Sequence, residues 1–100
     1  MRQIEFDMPT SALAAFCARN HIRTLALFGS VLREDFRADS DVDILVEFEP
    51  DQVPGFAFFA MEEELTAMIG RSVDLHTPKS LSRYFRDRVQ AEAEPLYVRG

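Results

Sequence analysis

The sequence predicts an α+β domain of the α/β type, and three observations carry that expectation. A short, largely apolar stretch at 23–28 and two alternating ones at 41–48 and 71–75 read as strands. Around them, apolar residues recur at helical spacing over 11–20, over 56–69 and after Pro78. Glycines and prolines fall at the joints, at Gly29, in the loop 49–55 and at Gly70. One hundred residues supply one hydrophobic core and no second lobe, so a single domain over 1–100 is expected, with its motif core at 25–75.

Composition narrows the class of function. A hydrophobic share of 47% with 28% charged residues belongs to a soluble globular chain rather than a disordered or fibrous one. The formal charge of −6 argues against a general nucleic-acid binder, because phosphate backbones are held mainly by Lys and Arg. A basic partner protein or a metal-bridged nucleotide is compatible with it. A lone cysteine, Cys17, excludes an internal disulfide and suits a reducing compartment. The opening MRQIEFDM lacks the apolar centre of a signal peptide, and no apolar run nears the roughly 20 residues that span a bilayer. A cytoplasmic protein that engages no membrane is expected.

In chain order, Pro9-Thr10-Ser11 is helix-start chemistry, with Thr10 or Ser11 as the cap. Leu13, Phe16, Cys17 and Asn20 then share one side of a helix over 11–20, which makes Cys17 a core residue. His21 follows at the helix end, where a histidine can cap carbonyls. The first strand, 23–28, is short and apolar and stops at Gly29; a short helical segment over 31–36 and a polar loop at 37–40 come next. In the second strand, Val42, Ile44 and Val46 share one face while Asp41, Asp43 and Leu45 share the other, so two carboxylates project the same way from one strand end.

The helix over 56–69 presents Phe58, Met61, Leu65, Met68 and Ile69 to the core, and Glu62, Glu63 and Glu64 between them read as a solvated face. Gly70 ends it. In the third strand Val73 and Leu75 face one way and Asp74 the other, and His76 beside it reads as a solvent-exposed strand end, with contact to a metal or nucleotide as the alternative. Thr77-Pro78 starts a last helix whose apolar face is Leu81, Tyr84, Phe85 and Val89, Tyr84 lying at the edge of the core. Pro95 stops that helix, and 96–98 add a short edge strand or a contact surface.

Asp41, Asp43 and Asp74 form the set that carries chemistry. Carboxylates two residues apart on a strand lie roughly 6 to 7 Å apart, and a third from a neighbouring strand can close the cluster. Such a cluster repels itself unless a cation neutralises it. Hard oxygen ligands select Mg²⁺ or Mn²⁺, and two ions together can stabilise both the entering and the leaving oxygen of a phosphoryl displacement. The Gly29-Ser30 turn complements this. Glycine lets a phosphate approach the main chain, Ser30 adds a hydroxyl donor, the following helix N-terminus offers N–H groups, and Arg33 supplies a permanent positive charge.

Gly29-Ser30, then Arg33, then Ser40-Asp41-Val42-Asp43 followed by Ile44-Leu45-Val46, resembles the GSxxR…SDxDLLV signature of the minimal nucleotidyltransferase (MNT) family. That family belongs to the DNA polymerase β-type nucleotidyltransferase superfamily. The resemblance implies the nucleotidyltransferase fold, a small mixed β-sheet flanked by helices. It implies that Asp41, Asp43 and Asp74 are the catalytic and metal-binding residues for two Mg²⁺ or Mn²⁺ ions, with Asp74 also able to accept the proton of the attacking hydroxyl. Gly29, Ser30, Arg33 and Ser40 would bind the nucleotide. Members of this family often pair with a HEPN-type RNase toxin and act as its antitoxin by transferring AMP from ATP to a tyrosine of the partner.

Other readings of the same residues are a non-catalytic antitoxin that neutralises its partner by covering it, and nucleotidyl transfer to a small molecule in a pocket made by a dimer. A calcium loop counted from Asp39 fails, because Ile44 and Pro50 stand where glycine and glutamate are required. Leu96, Tyr97 and Val98 are compatible with a homo-oligomer interface.

Overall fold

The computed structural model describes residues 10–29, 41–52 and 54–99. The expected helix at 31–36 and loop at 37–40 lie outside them. In chain order the elements are α1 (Thr10–Arg19), β1 (Ile22–Phe28), β2 (Val42–Phe48), α2 (Ala57–Ile69), β3 (Val73–His76), a 3-10 turn (Pro78–Ser80), α3 (Arg83–Glu92) and β4 (Glu94–Val98). The strands form one mixed sheet in the order β3-β2-β1-β4. β1 pairs antiparallel with both β2 and β4, whereas β2 and β3 run parallel. A parallel pair needs a crossover, and α2 supplies it. Pro95, which cannot donate to a ladder, sits in the edge strand β4, where the loss is tolerated.

Side-chain alternation divides the sheet into two unlike faces. On one, Leu25 and Leu27 of β1, Val42, Ile44 and Val46 of β2, and Val73 and Leu75 of β3 join Leu13, Phe16 and Cys17 of α1 and Met61, Leu65 and Ile69 of α2 in a single buried cluster. The helical and strand periodicities read from the sequence meet there, and each fully buried aliphatic chain contributes roughly 1.5–3 kcal/mol. On the other face, among the described residues, Phe28, Leu45 and Leu81 form a small cluster backed by Val89 and Ala93.

Gly70 closes α2 in the left-handed conformation, φ 81°, and its N–H bonds the Thr66 carbonyl at 2.9 Å. The glutamates of α2 depart from the expected solvated face. Glu62 Oε2 accepts the Leu75 N–H at 2.8 Å, and Thr66 Oγ1 accepts the Val73 N–H at 3.0 Å. β3 is a sheet edge, and these side chains satisfy donors that no further strand reaches. Glu64 pairs with Arg19 and ties α2 to α1, which leaves Glu63 exposed.

Tyr84 also departs from expectation: it is 92% exposed. The segment from Pro78 begins with a 3-10 turn, in which Ser80 Oγ accepts the Thr77 N–H at 3.1 Å, and α3 starts only at Arg83, capped by Ser82 Oγ on the Tyr84 N–H. Leu81 therefore precedes the helix, and its phase does not continue into α3. The helix meets the sheet through Val89 and Ala93 instead, turning Tyr84 outward.

Candidate active site

The face of the sheet away from the main core gathers the acidic residues. Register across the parallel pair sets Asp43 opposite Asp74 and Leu45 opposite His76. The two-residue period then puts Asp43, Asp74 and His76 on the side away from the main core. His76 Nε2 lies 3.3 Å from Asp74 Oδ2 and 3.5 Å from Asp43 Oδ1. The imidazole is steadied by Phe28, whose ring meets it edge-to-face with centroids 5.2 Å apart. Asp74 is the more open carboxylate, with 53% of its side chain exposed against 26% for Asp43.

Gly29 ends β1 directly beside this cluster. Its φ of 76° lies in the left-handed region, and a Cβ there would stand 3.2 Å from Asp43 Cγ and overlap the carboxylate oxygen Oδ2. Glycine is thus required twice at this position, for its backbone angle and for the space the Asp43 carboxylate occupies. The sequence reading assigned Gly29 to close phosphate approach; the structure shows a close approach to Asp43.

Of the expected site residues, the structure brings together Asp43 and Asp74 with Gly29 alongside. Asp41 sits exposed at the entry to β2, outside the group formed by Asp43, Asp74 and His76. Ser30, Arg33 and Ser40 lie outside the described residues.

His76 stands at the strand end where the sequence placed it, but is less exposed than expected. It ends β3 rather than fraying from it, its side chain is 27% exposed, and Nε2 is buried without a hydrogen-bond partner. The signal was present: His76 stands two residues after Asp74, which in a strand means the same face.

Each of Asp43, Asp74 and His76 offers one ligand atom within 4.8 Å of the others. Two carboxylates and a buried imidazole nitrogen facing one another form a donor set that suits a divalent cation. The unpartnered nitrogen fits that use. No helix among the described residues is long and apolar enough to cross a membrane.

A family model described as a nucleotidyltransferase domain matches residues 11–96. The chain belongs to that family. Two archaeal proteins are similar in sequence to this nucleotidyltransferase. One, a candidate protein adenylyltransferase of Methanocaldococcus jannaschii, is 39% identical over 78 residues, 77% of either chain. The other, the protein adenylyltransferase MntA of Thermococcus cleftensis, is 44% identical over 61 residues, 60% of either chain. Among solved structures, a candidate minimal nucleotidyltransferase superposes with a TM-score of 0.71 at 32% identity, covering 86% of this chain and 87% of its own. The MNT antitoxin from a complex with the tri-AMPylated HEPN toxin of Shewanella oneidensis shares the fold, with a TM-score of 0.63 at 22% identity, covering 90% of this chain and 70% of its own. The mixed sheet flanked by helices and the membership of a nucleotidyltransferase family both agree with the reading from the GSxxR…SDxD residues.

Proposed function

We propose that this nucleotidyltransferase moves AMP from ATP to a hydroxyl, a tyrosine, of a HEPN-type RNase toxin and thereby acts as its antitoxin. The observation that carries the transfer chemistry is the pairing of Asp43 with Asp74 across the parallel strands β2 and β3, beside a glycine whose missing side chain makes room for the Asp43 carboxylate. The named activity of the archaeal relatives supports a protein as the acceptor. The complex of a fold neighbour with its HEPN toxin supports the partner class.

In this reading Asp43 and Asp74 hold the divalent ions, Mg²⁺ or Mn²⁺, with Asp41 as the further carboxylate at the strand entry. Such ions supply neutralisation of triphosphate charge and stabilise developing charge on phosphoryl oxygens. The acceptor oxygen forms a bond to the α-phosphorus, the bridging bond from that phosphorus to the β-phosphate oxygen breaks, and pyrophosphate leaves. Asp74, the more accessible carboxylate, takes the proton from the acceptor hydroxyl. Gly29, with Ser30, Arg33 and Ser40, holds the triphosphate.

The test is intact-mass spectrometry of the partner that co-purifies with this chain, after incubation with ATP and Mg²⁺. One or more AMP increments on the partner with the wild-type chain, and none with Asp43→Asn, are expected. A stable complex in which neither sample gains mass would reject transfer to the partner.

A further inference from the structure

We propose that His76 is a metal ligand of this site, and that its imidazole nitrogen gives the site a preference for Mn²⁺ and other transition-metal dications over Mg²⁺. The inference deepens the nucleotidyl-transfer reading and rests on the same cluster. It concerns a residue to which the GSxxR…SDxD resemblance assigns no role.

Three observations converge on Nε2. It is buried and has no hydrogen-bond partner, although two carboxylate oxygens face it. Its separations from them, 3.3 and 3.5 Å, are wider than the roughly 2.9 Å of a well-made N–H···O bond. Ligand atoms each about 2.1 Å from one shared ion stand roughly 3.0 to 3.4 Å apart in octahedral or tetrahedral arrangements, so the 3.3 Å separation from Asp74 falls in that range and the 3.5 Å separation from Asp43 lies just beyond it. Finally, the Phe28 ring edge restrains the imidazole from the β1 side, with an interplanar angle of 74°, so the nitrogen is held toward Asp43 and Asp74.

The donor set decides the metal. An all-carboxylate site is hard and suits Mg²⁺, which also keeps much of its water shell. Replacing one oxygen by imidazole favours borderline ions, which bind nitrogen better, while the two carboxylates remain acceptable to Mn²⁺. His76 reaches this position because β3 carries Asp74 and His76 at the same parity. Its register against β2 places that pair beside Asp43.

The experiment uses Mn²⁺ alone with the full chain, read by electron paramagnetic resonance. Binding removes the signal of free hydrated Mn²⁺ and gives the affinity, and electron spin echo modulation reports a nitrogen nucleus bonded directly to the ion. In the wild type we expect directly coordinated nitrogen, and displacement of Mn²⁺ only by Mg²⁺ at about 10-fold or greater excess. In His76→Ala the nitrogen modulation is expected to vanish and Mn²⁺ affinity to fall about 10-fold or more, with Mg²⁺ affinity, read by competition, changed less than about 3-fold.

Bound Mn²⁺ without nitrogen modulation in the wild type overturns the inference, and that result does not depend on whether any variant folds. Unchanged Mn²⁺ affinity in His76→Ala overturns it as well. The transfer reading fails separately: a chain with nitrogen-coordinated Mn²⁺ that adenylylates nothing keeps the ligand assignment and loses the proposed reaction. Loss of Mn²⁺ binding in Asp43→Asn, together with wild-type nitrogen modulation, supports one shared ion.

Discussion

The two faces of the sheet are built from the same strands and differ residue by residue. Along β2, Val42, Ile44 and Val46 are fully buried under α1 and α2, while the intervening Asp43 looks out on the other side with 26% of its side chain exposed. Along β3, buried Val73 and Leu75 alternate with Asp74 and His76. Two helices seal one face. Among the described residues, the other has α3 over the Phe28, Leu45 and Leu81 end, and leaves Asp43 and Asp74 partly exposed. Stability and chemistry are thereby separated by a single-residue step along each strand. A carboxylate pair can stay partly hydrated a few Å from a dry core because the sheet backbone stands between them.

Substitutions on the two faces should therefore move different observables. The largest expected effect is on the acidic face: Asp43→Asn should lower adenylyl transfer by at least about 10³-fold, on the order of 4 kcal/mol of transition-state stabilisation. Its melting temperature should change by no more than a few degrees, since Asn keeps the size and shape of the side chain it replaces on a partly exposed face. A large fall in melting temperature would show Asp43 to be a folding residue and erase the separation between faces.

Leu65→Ala is the counterpart on the closed face. Leu65 is fully buried in the main cluster, and its truncation should cost about 3 kcal/mol in denaturant unfolding, with transfer by the folded fraction kept within a few-fold. Next comes Gly29→Ala, which touches both properties. The left-handed backbone costs roughly 1 kcal/mol, and the added methyl displaces the Asp43 carboxylate, so transfer should fall about 10²-fold. Transfer at the wild-type rate would mean that the Asp43 position seen here is not the working one.

The smallest effect belongs to Cys17, deep in the closed face. Burial pushes its thiol up from an ordinary value of 9.0 to about 12. The unfolded chain therefore loses this proton near pH 9 while the folded chain keeps it, and stability present below pH 9 should decline as pH rises towards 12. Cys17→Ala should flatten that decline. Thiol alkylation at pH 8 should be slow in the native protein and fast in denaturant, and rapid native labelling would show the closed face to be open.

Much of this was legible in the chain. Gly29 and Gly70 marked element ends, and both adopt left-handed angles in the structure. The alternation Val42-Asp43-Ile44 and Val73-Asp74-Leu75 assigned faces correctly, and the helical spacing of Met61, Leu65 and Ile69 identified the buried side of α2. The sequence misled where a role depended on what lay opposite. Glu62 looked solvated because the unpaired N–H of Leu75 belongs to a distant strand edge. Tyr84 looked half-buried because a helical phase was carried through a segment that starts with a 3-10 turn.

By itself, then, the sequence determined the kinds of elements, the side of each strand on which a carboxylate stands, and the nucleotidyltransferase family, since periodicity and motif spacing are local properties of the chain. Only the tertiary structure decided that β2 and β3 lie parallel with Asp43 opposite Asp74, that Phe28 holds His76 against both, and that the main core gathers on one face of the sheet and the acidic residues on the other. Parity follows from the backbone of a single strand. Register and proximity follow from packing α1 and α2 against residues far away in sequence, and no local pattern encodes which neighbour a strand will meet.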